Sequence, residues 1–170
     1  MSDTYYLRIA EPEDARSIAE HRAKMFIEMG LLPLTDYDLF LNAVETSTQH
    51  LLQEGAYMGW FVGTDRTVVG GAGVYLYPLQ PIPGCYRVGV WGHIANVYID
   101  PSHRRRGLAT RLMNEVLQWC NVRTVDRVTL SASEQGLSLY ARLGFVRTSE
   151  MEFPLETLQK RHLVGITVIE

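Results

Sequence analysis

IANVYIDPSHRRRGLATRLM, residues 94–113, holds the clearest structural pattern in this chain. Its first six residues are rich in β-branched and aromatic side chains, which predicts a short strand. Asp100-Pro101 ends that strand, because proline has no N–H for a ladder and restricts the residue before it. A basic turn over residues 104–107 follows, and after it apolar residues recur at helical spacing. The apolar face of this predicted helix comprises Leu108, Leu112, Val116, Leu117 and Cys120.

The junction between this strand and this helix predicts an anion site. Backbone N–H groups in the first turn of a helix have no intrahelical acceptor, and the helix dipole adds about half a positive charge there. Gly107 lacks a Cβ, so a ligand can approach the main chain closely. The three arginines before it add fixed positive charge. This combination suits a diphosphate; the alternative is a basic helix N-terminus that only faces solvent.

Composition and charge restrict the class of protein. The chain has 170 residues, 46% hydrophobic and 21% charged, which is typical of one soluble domain spanning residues 1–170. Its net charge of -3 argues against a nucleic-acid partner or an anionic membrane, and favours a small anionic ligand for the arginines. No run approaches the roughly 18 apolar residues of a membrane span. With no signal-peptide pattern at the N-terminus, we expect a cytoplasmic protein.

The cysteines and histidines predict no metal site. Cys85 and Cys120 lie far apart in sequence, and we interpret both as small buried hydrophobic residues. The five histidines also lack the spacing of metal ligands. We therefore expect no metal cofactor.

Hydrophobic periodicity and turn residues predict the element order β-α-α-β-β-β-α-β-α-β-β. This order favours an α/β (α+β) fold, a mixed sheet of about seven strands with helices on both faces. A hairpin is predicted around Asp65-Arg66. Besides the strand over 94–99, the predicted strands cover residues 5–10, 60–62, 68–77, 127–132, 145–153 and 163–169. The predicted helices cover residues 12–29, 35–54 and 134–143, with the central helix beginning at 108.

Two motifs resemble those of the GNAT superfamily of N-acyltransferases. Residues 104–109, RRRGLA, fit the family pattern Gln/Arg-x-x-Gly-x-Gly/Ala at the start of the helix after the fourth strand. Residues 139–145, LYARLGF, fit the family pattern Leu-Tyr-x-x-Leu-Gly-Phe. The predicted element order is also the GNAT order, so the resemblance covers nearly the whole chain. It implies a central sheet in which strands four and five splay apart.

The resemblance implies a site for acetyl-CoA as cosubstrate. The acyl-pantetheine would insert between strands four and five and pair with strand four, while main-chain N–H groups of the turn hold the diphosphate. The Arg105 and Arg106 side chains are expected to face solvent or the ribose phosphate. Many family members have an asparagine where this chain has Ser133, which can still cap the helix after it. The implied binding residues are Val97, Tyr98, Ile99, Arg104, Arg105, Arg106, Gly107, Leu108, Ala109, Thr110 and Ser133.

Tyr140, in the second motif, is the candidate catalytic acid. In the family this tyrosine lies near the thiol sulfur, where it can protonate the departing thiolate after an amine has attacked the thioester. A phenol with a pKa of about 10 is protonated at neutral pH and suits that role. The alternative is a packed tyrosine with a satisfied hydroxyl.

The sequence does not decide which residue is the general base. A protonated amine must lose a proton before it attacks, and three side chains are candidates, directly or through water: Glu28, His93 and Asp100. Each is also interpretable as a structural residue.

The resulting hypothesis is an acetyl-CoA-dependent N-acetyltransferase that acts on a primary amine in a ternary complex. The acceptor is a small molecule or a peptide, and its identity stays open. Residues 25–35 and 78–91 form acceptor-side loops rich in aromatic and apolar residues, which favours a substrate with an apolar part. The alternatives are a non-catalytic acyl-CoA binding module and an acyltransferase for a longer acyl group. By analogy, a homodimer would form through residues 163–169.

Overall fold

The computed structural model describes residues 4–151. Their strands form one sheet of order β1-β2-β3-β4-β5. The strands are β1 Tyr6–Ile9, β2 Tyr57–Thr64, β3 Thr67–Leu79, β4 Gly89–Ile99 and β5 Arg127–Leu130. The helices are α1 Ala15–Glu28, α2 Tyr37–Gln53, α3 Leu108–Val122 and α4 Leu137–Arg142. Neighbouring strands are antiparallel except β4 and β5, which are parallel, so the sheet is mixed as expected.

Different helices cover the two faces of the sheet. In β2, Trp60 and Val62 pack in one apolar cluster with residues of α3, whereas Phe61 packs with Ile18 of α1. Because successive side chains of a strand point to opposite faces, α3 lies on one side of the sheet and α1 on the other. The helix α2 packs on α1 through Leu41, which contacts the buried alanines of α1. We call the two sides the α3 face and the α1 face.

The apolar stripe predicted for the central helix is confirmed. Leu108, Leu112, Val116 and Cys120 are all at most 2% exposed, and Leu117 is partly buried against the same cluster. Burial raises the pKa of the Cys120 thiol to about 11. The other cysteine differs from expectation, since Cys85 is only partly buried and lies in the β3–β4 connection.

The strands β4 and β5 separate halfway along β4, as expected for splayed strands. They pair over residues 91–94 and 127–130, and the last pair is Ile94 with Leu130. Residues 95–99 of β4 continue beside β3 with no β5 partner. The β3 register shifts between Gly71 and Gly73, where β4 accommodates one extra residue. That bulge contains Asn96, which has a φ of 58°.

Part of the expected set of seven strands is present in the described residues. Five strands lie in residues 4–151, and residues 145–151, predicted to begin a strand, pair with none of them. A segment is a strand only where it is hydrogen-bonded to a neighbouring strand, which residues 145–151 lack here. The predicted last strand, over residues 163–169, lies outside the described residues. The dimer hypothesis concerns the same segment and also lies outside them.

The remaining boundaries agree with the sequence analysis to within a few residues. The hairpin turns at Asp65-Arg66 as predicted, with longer strands on both sides. A 3-10 turn precedes each of the first two helices, at Pro12–Asp14 and at Leu34–Asp36. Within residues 4–151, every helix is too short or too polar to cross a lipid bilayer.

Candidate active site

The turn between β4 and α3 has a defined local geometry. Oδ1 of Asp100 accepts hydrogen bonds from the Ser102 N–H at 3.1 Å and from the Ser102 hydroxyl at 2.6 Å. These bonds start a 3-10 turn over Pro101–His103. Two residues then adopt left-handed backbone conformations, Arg105 with φ 60° and Gly107 with φ 74°. The chain reverses sharply here and enters α3.

The first turn of α3 offers unpaired main-chain donors. The first hydrogen bond of the helix runs from the Arg111 N–H to the Gly107 carbonyl at 3.1 Å. The N–H groups of Leu108, Ala109 and Thr110 therefore have no intrahelical acceptor, and Gly107 supplies no side-chain cap. A Cβ built at Gly107 would meet nothing within 4 Å, so the turn is open on that side. These observations fit a diphosphate at this turn.

Arg104 is exposed, but its side chain contacts other parts of the protein. Its Nε donates to the Ile99 carbonyl at 2.8 Å and its Nη2 lies 2.6 Å from Oε2 of Glu28. Its guanidinium carbon lies 5.7 Å from the centre of the Tyr98 ring. This arginine ties the turn to the end of α1.

The other two arginines differ from each other. Nη1 of Arg106 donates to the Tyr5 hydroxyl at 2.9 Å, and that hydroxyl lies 2.8 Å from Nδ1 of His103. Arg106 thus ties the turn to the residue before β1. Arg105 is exposed and has no hydrogen bond or ion pair with any other residue in the described part of the chain. All three arginines are exposed, and Arg105 is the one without such a contact among residues 4–151.

The part of β4 that has no β5 partner, residues 95–99, lies next to this turn. Val97 and Ile99 pack in the apolar cluster of the α3 face, while Tyr98 turns to the α1 face and contacts His21 with ring centres 5.3 Å apart. Main-chain groups on the open side of residues 95–99 have no β5 neighbour. The strand can therefore pair with an extended ligand at this edge.

Tyr140 lies on α4 and packs on the α3 face, against the cluster that includes Ile94, Ile99 and Leu108. Its ring meets Phe145 edge-on with centres 5.9 Å apart. Burial raises the pKa of its hydroxyl. That hydroxyl makes no hydrogen bond to any of residues 4–151.

Ser133 does not cap a helix. The turn over residues 134–136 delays α4, whose N-terminal flanking residue is Gly136 with no side-chain cap. The Ser133 carbonyl accepts the Gly136 N–H at 2.9 Å, while its side chain is exposed. The capping expectation was wrong because the helix begins three residues later than the sequence predicts.

The three candidate bases have different surroundings. Both oxygens of Glu28 are engaged, one by Arg104 and the other by the Tyr98 hydroxyl at 3.3 Å. Hydrogen bonds from Ser102 lower the pKa of the Asp100 carboxyl, which makes it a weaker base. Nδ1 of His93 lies 3.0 Å from the Thr129 hydroxyl, and burial lowers the pKa of the imidazole. His93 is also one pair away from the point where β4 and β5 separate.

Sequence reasoning missed a buried polar network beside the site. Asn96 is 4% exposed, accepts a hydrogen bond from Nη1 of Arg22 at 2.6 Å, and donates to the Tyr57 hydroxyl at 3.0 Å. It connects α1 with β2 and β4. Its one sequence signal is that asparagine is depleted in strands, yet it stands in the middle of an apolar strand pattern.

No group of three or more histidine, cysteine, aspartate or glutamate side chains is arranged to hold a metal ion within residues 4–151.

Comparison with known families identifies the chain. The sequence profile of the acetyltransferase (GNAT) family matches residues 17–145. The chain belongs to the GNAT acetyltransferase family. Members of this family are acyltransferases, and the family uses acetyl-CoA.

Individual relatives agree with this assignment. Glucosamine 6-phosphate N-acetyltransferase from Trypanosoma brucei brucei is 35% identical over 65 residues, or 38% of this chain and 44% of that protein. The match thus spans less than half of that relative. A GCN5-related N-acetyltransferase from Ralstonia eutropha has a structure with TM-score 0.81 at 30% identity, covering 89% of this chain and 98% of the other. A predicted acetyltransferase from Clostridium acetobutylicum, crystallised with acetyl-CoA, shares the fold with TM-score 0.82 at 22% identity, covering 94% and 99%.

Proposed function

We propose that this GNAT protein is an N-acetyltransferase that moves an acetyl group from acetyl-CoA directly to a primary amine in a ternary complex. The observation that carries the proposal is the juxtaposition of three features. The open N–H groups at the start of α3 adjoin the edge of β4 that has no β5 partner. Tyr140 packs against the apolar cluster that includes Ile94, Ile99 and Leu108 of those same elements. The N–H groups suit a diphosphate, the open edge of β4 suits an extended thioester arm, and Tyr140 suits the role of proton donor.

Main-chain groups would do most of the binding. The N–H groups of Gly107 through Thr110 would hold the diphosphate, and the exposed guanidinium of Arg105 would add charge to that contact. Residues 97–99 of β4 would pair with the pantetheine arm. A backbone N–H of this strand would polarise the thioester carbonyl, as donors in an oxyanion hole do.

Tyr140 would be the general acid. When the amine nitrogen bonds to the acetyl carbon and the carbon–sulfur bond breaks, the tyrosine hydroxyl gives its proton to the thiolate sulfur. Its raised pKa keeps the hydroxyl protonated at neutral pH, so a proton is available for this transfer.

His93 is the general base that the geometry favours among the three candidates. Its partner is a neutral threonine hydroxyl, whereas Glu28 is held by an arginine. The lowered pKa leaves the imidazole neutral near pH 7, in the form that accepts a proton from the amine.

The acceptor is a small molecule or a peptide amine, and the loops that flank the site favour one with an apolar part. Leu31 and Leu34 after α1, and Ile82, Tyr86 and Val88 before β4, are all exposed. An amino-sugar phosphate is the second acceptor class to test, because one curated relative is a glucosamine 6-phosphate N-acetyltransferase.

Free-thiol release from acetyl-CoA with a panel of amines tests the proposal. We expect Tyr140→Phe to lower kcat about 100-fold, the scale of a lost general acid, with little change in the KM for acetyl-CoA. Tyr6→Phe is the matched control, since Tyr6 is a partly exposed tyrosine on β1, and should leave kcat unchanged. Coenzyme binding without turnover of any amine would instead favour the non-catalytic binding module. Faster turnover of longer acyl-CoAs would favour an acyltransferase for a longer acyl group.

Five further features stay predictions. We propose that residues 1–170 act as a single domain, that it is cytoplasmic, and that it neither binds nucleic acid nor depends on a metal. Sedimentation would test the homodimer, and activity in the presence of a chelator would test the independence from metal.

A further inference from the structure

Glu28, the last residue of α1, holds two side chains that are far from it in sequence. Its Oε2 lies 2.6 Å from Nη2 of Arg104, and its Oε1 accepts the Tyr98 hydroxyl at 3.3 Å. Both oxygens of the carboxylate are therefore engaged. Protonation of this carboxylate by an incoming amine would remove the negative charge that pairs with Arg104.

Arg104 is held at both ends of its side chain. Besides the ion pair with Glu28, its Nε donates to the Ile99 carbonyl at 2.8 Å, and the guanidinium lies over the ring of Tyr98. The side chain thus spans from the end of β4 to the end of α1. It is the residue immediately before the left-handed turn.

The turn itself needs such an anchor. Arg105 has φ 60°, a conformation that residues with a Cβ disfavour and that persists only where surrounding contacts hold it. Asp100 holds the near end of the turn through Ser102, and Arg104 holds its middle. The main-chain N–H groups that follow are aimed correctly only while this backbone is kept.

We infer that Glu28 is a positioning residue: through Arg104 it presets the turn that receives the phosphates of coenzyme A, and it is not the general base. The inference rests on the proposed function. It assigns separate tasks to neighbouring arginines, since Arg104 shapes the turn and Arg105 contacts the ligand.

The test is Glu28→Gln, which removes the charge and keeps the shape. We expect the Kd for coenzyme A, measured by calorimetry, and the KM for acetyl-CoA to rise about fivefold, the upper range for a partly exposed ion pair. The kcat and the acidic limb of its pH profile should not change. A general base would give the opposite result, a fall in kcat of about 100-fold and loss of that limb.

Three comparisons complete the experiment. Glu20→Gln is the matched control, because Glu20 pairs with Arg16 on the same helix at 3.6 Å, and it should leave the KM unchanged. Glu28→Gln combined with Arg104→Gln should be no worse than Arg104→Gln alone, since the contact that Glu28→Gln removes is already lost in that variant. Arg105→Ala should weaken coenzyme binding and reduce its salt dependence, whereas Glu28→Gln should leave the salt dependence as it was.

Amide hydrogen exchange separates this inference from the proposed function. Without any ligand, Glu28→Gln should speed exchange at residues 104–110, because the turn loses its anchor. If exchange is faster in Glu28→Gln but the wild type binds no coenzyme A, the proposed function and the ligand part of the inference are both wrong. Normal coenzyme binding by the wild type, with unchanged Kd and unchanged exchange in Glu28→Gln, would overturn the inference alone.

Discussion

The two faces of the sheet are stabilised in different ways. On the α3 face the buried residues are apolar, with Leu112, Met113 and Val116 fully enclosed against strand residues such as Val62 and Ile94. On the α1 face the core contains buried polar side chains. These are His21, Thr48, Asn96 and the hydroxyl of Tyr57. The stability of the α3 face depends on how well apolar side chains fill its volume. The stability of the α1 face depends on hydrogen bonds and on the protonation state of its polar groups, so different substitutions should destabilise the two faces.

Both kinds of packing meet at β4. Ile94, Val97 and Ile99 point to the α3 face, whereas Asn96 and Tyr98 point to the α1 face. The apolar face supports the helix whose N-terminus forms the proposed coenzyme site. The polar face links that same strand to α1 and the proposed acceptor side. The proposed site is therefore supported by apolar packing on one side and by specific polar contacts on the other.

Leu112→Ala should have the largest effect and tests the apolar face. Leu112 is 0% exposed, so its truncation leaves a cavity as well as lost burial, and the free energy of unfolding should fall by about 4 kcal/mol. Urea denaturation measures this, and the loss should be the same at pH 7 and pH 4.5. Leu39→Ala, at a side chain that is 78% exposed, should change stability by less than about 0.5 kcal/mol.

His21 should give the next largest effect and makes the α1 face sensitive to pH. Burial is the main cause that lowers its pKa to about 4; Lys24 lowers it further and Asp100 opposes this. The unfolded chain binds a proton near pH 6.5, so stability is full above that pH and is lost as pH falls from 6.5 to about 4. The total loss should be about 3 kcal/mol.

His21→Phe should remove this pH-dependent loss and keep the ring contacts with Phe61 and Tyr98. His93 has a lowered pKa too and contributes a slope of the same sign, so the difference between variant and wild type is the quantity to measure. His50→Phe, at an exposed position on α2, should keep the wild-type slope. If the stability of His21→Phe depended on pH as strongly as that of the wild type, the expected difference in acid sensitivity between the two faces would be contradicted.

Asn96→Ala should have a smaller effect, about 2 kcal/mol, and tests the polar network. It removes the partner of Arg22 and leaves the buried Tyr57 hydroxyl unsatisfied. Asn96→Gly separates the causes, because glycine adopts the φ of 58° without strain. We expect the glycine variant to lose less stability than the alanine variant. A loss below about 0.5 kcal/mol in both, within the range of surface substitutions, would mean that the network is dispensable.

The sequence was informative where neighbouring residues act together. The basic turn, the apolar stripe from Leu108 to Cys120 and the hairpin at Asp65-Arg66 all depend on spacing of a few residues, and the structure has each of them. Element ends were less predictable. Ser133 has the chemistry of a cap, but an extra turn before α4 moved the helix start out of its reach.

The sequence alone determined the family motifs, the order of the elements and the glycine at the mouth of α3, because backbone geometry and periodicity are local properties. Only the tertiary structure decided which polar side chains meet. Glu28 reaches Arg104 across 76 positions, Arg22 reaches Asn96 across 74, and Tyr5 reaches His103 across 98. Such partners are chosen by how the helices pack on the sheet, and no spacing along the chain encodes that choice. The three arginines look alike in sequence. Only the fold distinguishes Arg104 and Arg106, which contact residues of other elements, from Arg105, which has no such contact among residues 4–151.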